Sequence, residues 1–253
     1  MPLALEVAVQ DAAGVRVARE IGARRVELTQ GLALGGLTPS PATLELAVEE
    51  AAHGGPEVHV LVRPRAGGFH YDADEIATAV RDVRWMLAHG ATGVVIGAQA
   101  ADGELDVDAL ARLRDAARDV RAEAAVTLHR AIDVTPDPLA GLRHAVSLGL
   151  TRVLTSGGAS AAQDGADLLR ALVATAGGRI EVMAGSGITA ANAAEIAATG
   201  VDALHFSAKR TVAASGSVRM GSAADDGGGH EVTDLEEARA VCAALGLGAP
   251  QRL

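Results

Sequence analysis

Eight short runs rich in β-branched residues alternate with longer alanine-rich stretches along the 253 residues of this chain. The longer stretches carry the apolar spacing of helices, whereas the short runs are typical of buried strands. The predicted strands cover residues 3–9, 25–29, 57–62, 93–97, 123–128, 152–155, 180–184 and 202–206. The predicted helices lie near 11–22, 40–53, 73–89, 107–119, 137–148, 163–176, 189–199 and 233–246. Eight strand–helix units in about 250 residues predict a TIM (β/α)8 barrel.

The main alternative fold is a doubly wound open sheet, which more often has fewer strands and a GxGxxG turn after the first strand. Here the first predicted strand runs into the residues QDAA at 10–13, without such a turn. A glycine also stands where a helix would end before the second, fourth, sixth and eighth strands, at Gly22, Gly90, Gly149 and Gly200. Glycine takes the left-handed conformation of that position at little cost. Convergent loop chemistry and an ancestral duplication both explain this repeated pattern, and both support the alternating architecture.

We expect one domain over residues 1–253. Within it, residues 211–231 should form a long flexible loop between the eighth strand and the eighth helix. The stretches at 214–217 and 227–229 consist of small and polar residues that cannot contribute to a core.

Composition excludes several classes of protein. The 22 basic and 32 acidic residues give a formal net charge of −10, whereas a nucleic-acid-binding protein would carry a basic surface. Aromatic residues make up only 2%, too few for base-stacking platforms. A single cysteine, Cys242, excludes an intrachain disulfide and a four-cysteine zinc site. The N-terminus lacks the basic segment of a signal peptide, and no stretch approaches a membrane span, so we expect a soluble, cytoplasmic protein.

Ionisable residues share one face of several predicted strands. Because side chains alternate faces along a strand, the apolar positions identify the side that faces the helices. The opposite side faces the barrel axis, where branched apolar residues are usual and an unpaired charge costs several kcal/mol. We therefore predict that these inward residues converge in one cavity at the C-terminal face: Glu6, Glu27, His59, Arg63, His129 and His205. A self-neutralised structural network remains the alternative.

Within this set, His129 is the first candidate for general acid–base catalysis, because the unperturbed pKa of histidine, about 6.5, lies near working pH. Asp133, four residues further on, is a candidate to orient the His129 ring if the loop turns back. Glu27 is the second candidate base, with a pKa that burial would raise.

Loops after the predicted strands suggest an anion site. Arginine presents a planar fork suited to carboxylate or phosphate, and Gly-rich turns that enter helices expose backbone N–H groups. Tight-turn chemistry explains each glycine motif taken alone, but arginines accompany them at the same mouth of the barrel. The predicted anion-binding residues are Arg63, Arg65, Arg130, Ser156, Gly157, Gly158, Gly185 and Gly187.

A metal site has less support. His59, His129 and His205, with Glu6 or Glu27, would give nitrogen and oxygen ligands, yet these residues show no close HxH or HxxxH spacing. We assign no metal ligands from the sequence, and the cofactor stays open.

A series of motifs in order resembles the copper homeostasis protein CutC family. They read LEV at 5–7, RVEL at 25–28, LGGLTPS at 34–40, HVLVRPR at 59–65, TLHRAID at 127–133, LTSGG at 154–158 and HFSA at 205–208. The resemblance spans roughly residues 3 to 208. It implies a TIM barrel, a cytoplasmic location, frequent homodimers and a role in copper homeostasis with copper as a ligand.

The chain departs from the family pattern where the family often has cysteine after the first two glutamates. These positions are Ala8 and Thr29 here, and soft thiolates are the natural ligands of Cu(I). Copper handling, as the family implies, is the first functional hypothesis. The alternative is a TIM-barrel enzyme of unknown reaction that acts on a small anionic metabolite, phosphorylated ones included. The inward ionisable set disfavours a third, non-catalytic scaffold. The expected partner is a small anionic ligand or a copper ion, with no nucleic acid and no membrane.

Overall fold

The computed structural model describes residues 3–52, 54–213 and 229–248. Eight parallel strands close into a barrel in sequence order, from β1 to β8. They are β1 Ala4–Val9, β2 Arg25–Leu28, β3 Glu57–Leu61, β4 Gly93–Ile96, β5 Ala125–Leu128, β6 Arg152–Thr155, β7 Glu181–Gly185 and β8 Ala203–Phe206. The predicted TIM barrel is confirmed, and the open sheet is excluded.

The helices surround the barrel near the predicted positions. They are α1 Ala12–Glu20, α2 Pro41–Ala51, α3 Ala73–Ala88, α4 Val107–Val120, α5 Pro138–Ser147, α6 Ala166–Ala176, α7 Ala193–Ala197 and α8 Leu235–Ala244. Aspartate or serine side chains fix several starts; Asp72, for example, accepts hydrogen bonds from the backbone N–H groups of the first turn of α3. None of the helices in the described ranges is long and apolar enough to cross a membrane.

The four glycines that precede alternate strands in the sequence all take the left-handed conformation. Their φ angles are 72° at Gly22, 105° at Gly90, 66° at Gly149 and 92° at Gly200. Each ends one helical segment and turns the chain into the next strand, which confirms the predicted role of these residues.

The core lies between the barrel and its helices. Val7, Val26, Val60, Val94 and Val126 have no exposed surface and belong to one apolar cluster. A separate small cluster of Leu154, Met183 and Ala203 fills part of the barrel interior. The alternation of faces predicted from the sequence is therefore observed.

The segment after β8 differs from the predicted loop. Lys209–Ala213 and Gly229–Thr233 form strands β9 and β10, which pair antiparallel beside the barrel mouth. Residues 214–228 lie outside the described residues, so the expected flexible loop is not tested there. The sequence analysis missed this ribbon because its strands are short and half-exposed, and only pairing with each other defines them.

Candidate functional site

A cavity of about 620 Å³ opens at the carboxyl ends of the barrel strands. Six of the predicted site residues line it: Glu27, Arg63, His129, Arg130, Gly187 and His205. Eight others do not line it in the part of the chain that the structure describes: Glu6, His59, Arg65, Asp133, Ser156, Gly157, Gly158 and Gly185. The structure thus brings together part of the predicted set.

His205 links two carboxyl groups at this cavity. Its Nδ1 lies 2.8 Å from Glu6 Oε1, and its Nε2 lies 3.7 Å from Glu27 Oε2. Glu6 is completely buried, whereas Glu27 is 6% exposed and borders the cavity. Because Glu6 fixes one side of the imidazole, the other side is directed towards Glu27.

These three groups have shifted pKa values. Burial alone would raise the pKa of Glu6, but the hydrogen bond and positive charge of His205, together with Arg25, hold it well below its usual range. Burial raises the pKa of Glu27 to about 7, against the opposing charge of His205. Burial would lower the pKa of His205, yet the charge of Glu27 and the contact with Glu6 raise it. The site therefore holds a carboxylate at Glu6, an imidazole at His205 whose charged form is favoured, and a carboxyl group at Glu27 that changes charge near neutral pH.

A buried ion network lies below the cavity, towards the amino ends of the strands. Arg25 Nε lies 2.9 Å from Glu6 Oε2, and Arg25 Nη2 lies 2.7 Å from Glu181 Oε1. Arg152 Nε lies 2.8 Å from the same Glu181 oxygen, and its Nη1 donates to Thr127 Oγ1 at 3.0 Å. Sequence reasoning missed Arg25, Arg152 and Glu181, although each occupies a position of its strand whose side chain faces the barrel axis.

His59 belongs to this lower network and not to the cavity. Its Nδ1 lies 3.5 Å from Arg152 Nη1, and its Nε2 lies 3.4 Å from Glu57 Oε2. The inward orientation was predicted correctly, but the depth was not. In the observed register His59 pairs with Gly93 of the neighbouring strand β4. Because Gly93 has no side chain, the His59 ring can lie against it.

His129 lines the cavity as a neutral hydrogen-bond donor. Its Nδ1 accepts the backbone N–H of Ala131 at 3.1 Å, so the ring proton is on Nε2. Burial, with the positive charge of Arg63, lowers the pKa of His129 to about 3. This protonation state does not suit the acid–base role predicted for His129, and Glu27, the second candidate, fits that role better.

Asp133 does not orient His129. Its carboxylate accepts the backbone N–H groups of Ser156 and Gly158, both at 3.1 Å from Oδ1. It also accepts hydrogen bonds from Arg130 Nε at 2.8 Å and from the Thr155 hydroxyl at 2.5 Å. The Gly-rich turn after β6 does bind an anion, but that anion is the protein's own carboxylate.

The two arginines after β3 have different environments. Arg65 is exposed, forms an ion pair with Glu75 and donates to the carbonyl of His70. Arg63 is 7% exposed and lines the cavity. Its guanidinium donates to the carbonyls of Leu34, Gly36 and Gly67 at 2.9, 2.8 and 2.7 Å. Arg63 therefore joins two loops at the mouth, whereas Arg65 is placed outside the predicted anion site.

The loops after β7 and β8 form the remaining wall. Ser186 and Ala208 have φ angles of 84° and 43° and are the non-glycine residues with positive φ among those described. Both line the cavity, and strained backbone of this kind clusters at functional sites. Gly187 lines the same wall, whereas Gly185 packs closely against Leu154 and His205. Ser186, Ser207 and Lys209 also line the cavity, and sequence reasoning had not selected them.

Comparison with known proteins places the chain in a family. A family model described as the CutC family matches residues 3–210. The chain belongs to the CutC family. A CutC family protein of Xylella fastidiosa is 42% identical over 249 residues, covering 97% of this chain and 90% of the relative. One of Xanthomonas campestris is 40% identical over 240 residues, covering 94% and 97%.

A solved CutC structure agrees with the barrel of this CutC-family chain. The protein, from Streptococcus agalactiae, is named for copper homeostasis and is 29% identical, with a TM-score of 0.75. The match covers 81% of this chain and 98% of that structure. The family resemblance inferred from the motifs is confirmed.

The residues of this CutC-family chain do not fit a thiolate copper site. Ala8 lines the cavity, and the hydroxyl of buried Thr29 donates to the carbonyl of Leu37 at 2.9 Å. The single cysteine, Cys242, is buried in α8 among apolar residues. In the described ranges, no group of three or more His, Cys, Asp or Glu side chains is arranged to hold a metal ion.

Proposed function

We propose that this protein is a barrel enzyme that moves protons on a small anionic metabolite. The observation that carries the proposal is the Glu6–His205–Glu27 arrangement, in which a buried carboxylate fixes an imidazole beside a second carboxyl group at the cavity. General acid–base catalysis needs groups whose pKa lies near the working pH, and the pKa of Glu27 is about 7.

Each member of this arrangement has a distinct role. Glu27 is the group that accepts and returns the substrate proton. His205, as an imidazolium, donates a hydrogen bond into the cavity and stabilises the charged form of Glu27. Glu6 does not reach the cavity lining; it is a positioning residue that holds His205.

A purely structural network explains only part of the buried charge. Glu6, Arg25, Glu181 and Arg152 balance one another's charges through ion pairs of 2.7–2.9 Å. Glu27, in contrast, accepts no hydrogen bond from the described residues, and its nearest basic nitrogen lies 3.7 Å away. A buried carboxyl group without hydrogen bonds destabilises a fold, which favours a functional reason for its presence.

Positive groups at the mouth support an anionic substrate. Arg130 and Lys209 line the cavity beside the loops after β7 and β8, where barrel enzymes often bind phosphate. In the described part of the chain, the backbone N–H groups of Gly187 and Ile188 donate to no protein acceptor. Together they offer donors to a phosphate or carboxylate group of the substrate.

Proton exchange tests this proposal directly. The intact protein would be incubated in D2O with a panel of small sugar phosphates, 2-oxo acids and hydroxy acids, and deuterium incorporation would be followed by NMR. We expect at least one compound to exchange a carbon-bound hydrogen faster than in buffer. The absence of catalysed exchange across the whole panel would overturn the proposal.

Copper handling is the second candidate, favoured by the name of the Streptococcus agalactiae relative. We predict weak Cu(I) binding, because neither Ala8 nor Thr29 supplies a thiolate. A competition titration with a chromophoric Cu(I) chelator measures it, with Cys242→Ser as the matched variant. Tight stoichiometric binding that survives Cys242→Ser would show that His or Met ligands suffice and would contradict this prediction.

A further inference from the structure

Two buried hydrogen-bond donors at the cavity have no acceptor. Among the described residues, Arg63 Nε and His129 Nε2 are buried nitrogen atoms without a hydrogen-bond partner. Both side chains line the cavity, and both contact the ring of Phe69. The ring centroid of Phe69 lies 4.6 Å from that of His129 and 5.5 Å from Arg63 Cζ. The two orphaned donors therefore share one wall.

The charge of Arg63 is also uncompensated. The other two fully or nearly buried arginines, Arg25 and Arg152, each form ion pairs with carboxylates. The hydrogen bonds of the Arg63 guanidinium go to backbone carbonyls, and no carboxylate of the described residues forms an ion pair with it within 4.0 Å. Buried charges are normally paired, so this wall is built for a negative partner that the chain itself does not supply.

His129 is fixed as a donor by the fold. The Ala131 N–H occupies Nδ1, which forces the proton onto Nε2. Gly97 permits the close approach of the ring, since a Cβ there would lie 2.1 Å from His129 Cε1. A neutral imidazole N–H held in place stabilises an oxygen that gains negative charge without giving up its proton.

We infer that Arg63 and His129 form an oxyanion subsite, and that the substrate is a carbonyl compound whose oxygen binds there. This inference rests on the proposed function. Glu27, as carboxylate, removes a proton from the carbon next to the carbonyl group. The C–H electron pair becomes the C=C bond, and the carbonyl π pair moves to oxygen as an enolate. Return of the proton from Glu27 to the same carbon restores the carbonyl group, so no oxidant or co-reactant is needed.

Oxalate, a planar mimic of an enolate, probes this subsite. Titration calorimetry at pH 7 should show oxalate binding to the intact protein. His129→Asn should weaken it roughly ten- to hundredfold, because asparagine can still cap the turn at Ala131 but cannot replace the Nε2–H. Arg63→Gln should do the same, with thermal melting to report its fold. Arg81→Gln, on the exposed surface of α3 and outside the cavity, is the matched control and should leave binding unchanged.

A second measurement does not depend on variants. Without ligand, 15N spectra of the imidazoles should show His129 with its proton on Nε2. On addition of oxalate, the Hε2 signal should move downfield as the hydrogen bond forms. No oxalate binding, equal binding by His129→Asn, or an unmoved Hε2 signal would each overturn the subsite.

The two proposals fail separately, because oxalate has no carbon-bound proton and does not report on Glu27. Deuterium exchange without oxalate binding would remove the subsite and leave the proposed function. Oxalate binding without exchange by any compound would remove the proposed function and leave the subsite.

Discussion

Replacing Glu27 by glutamine is expected to stabilise the protein above pH 7 and to slow proton exchange strongly in the same variant. Burial raises the pKa of Glu27 to about 7 from a usual value of 4.5. A shift of this size corresponds to about 3 kcal/mol of unfolding free energy. Glutamine has nearly the same shape and no charge, so it escapes that cost but cannot accept a proton.

The sign of the pH dependence follows from the raised pKa. The folded protein binds the Glu27 proton more tightly than the unfolded chain does, so the stabilising contribution of this group is fully present below about pH 4.5. That contribution is lost as the pH rises through about 7. Proton exchange has the opposite dependence, because the base form is needed, and it should rise over the same interval.

Urea unfolding of the wild type and Glu27→Gln, from pH 5 to pH 8, measures the stability difference. The gap in unfolding free energy should widen with pH and level off above about 7, while the exchange rate falls roughly 10²- to 10⁴-fold. Glu45→Gln, on the exposed surface of α2, is the control and should change neither quantity. A Glu27→Gln protein less stable than the wild type at pH 8 would mean that Glu27 serves the structure.

The sequence predicts the orientation of the site residues well. Glu6, Glu27 and His205 face the barrel axis because side chains alternate along a strand. The apolar residues on either side of each one show this alternation in the sequence. Their mutual contacts follow from barrel closure, which brings β8 beside β1. The arithmetic of eight strand–helix units already implied that closure.

Depth within the barrel is harder to predict. His59 and Glu27 are paired in the register of β2 and β3, yet His59 faces Arg152 while Glu27 borders the cavity. The stagger of the strands decides which layer a side chain occupies, and a single strand does not reveal it. Arg25 and Arg152 are the first residues of β2 and β6, and the sequence analysis did not select them. Their positions in the alternating pattern of each strand nevertheless face the barrel axis.

Loop contacts were the least predictable part of the site. Asp133 lies four residues after His129, and that spacing suggested an orienting carboxylate. The short helical turn at Arg130–Val134 instead directs Asp133 across to the turn after β6. Long-range hydrogen bonds of this kind depend on two loops meeting in space.

Replacing Arg25 by methionine is expected to lower the unfolding free energy by about 3–5 kcal/mol at pH 7. Arg25 is completely buried, and its loss would leave Glu6 and Glu181 with uncompensated charge inside the barrel. Methionine fills much of the same volume, so the effect reports on charge more than on packing. Chemical unfolding in urea measures it, with circular dichroism to show that the variant folds.

A matched control lies one residue away. Arg24 is 55% exposed along its side chain and lies 3.8 Å from Glu57. Exposed pairs contribute about 0–1 kcal/mol, so Arg24→Met should change stability little.

The loss of unfolding free energy caused by Arg25→Met should also become smaller as the pH falls. The pKa of Glu6 lies below its usual range in the wild type, so the stability that this carboxylate contributes is present above about pH 4.5 and is lost as the pH falls. In Arg25→Met the carboxylates protonate more readily. A stability gap that stays constant down to pH 4 would show that Arg25 acts through packing and not through the charge that holds Glu6 and His205 in place.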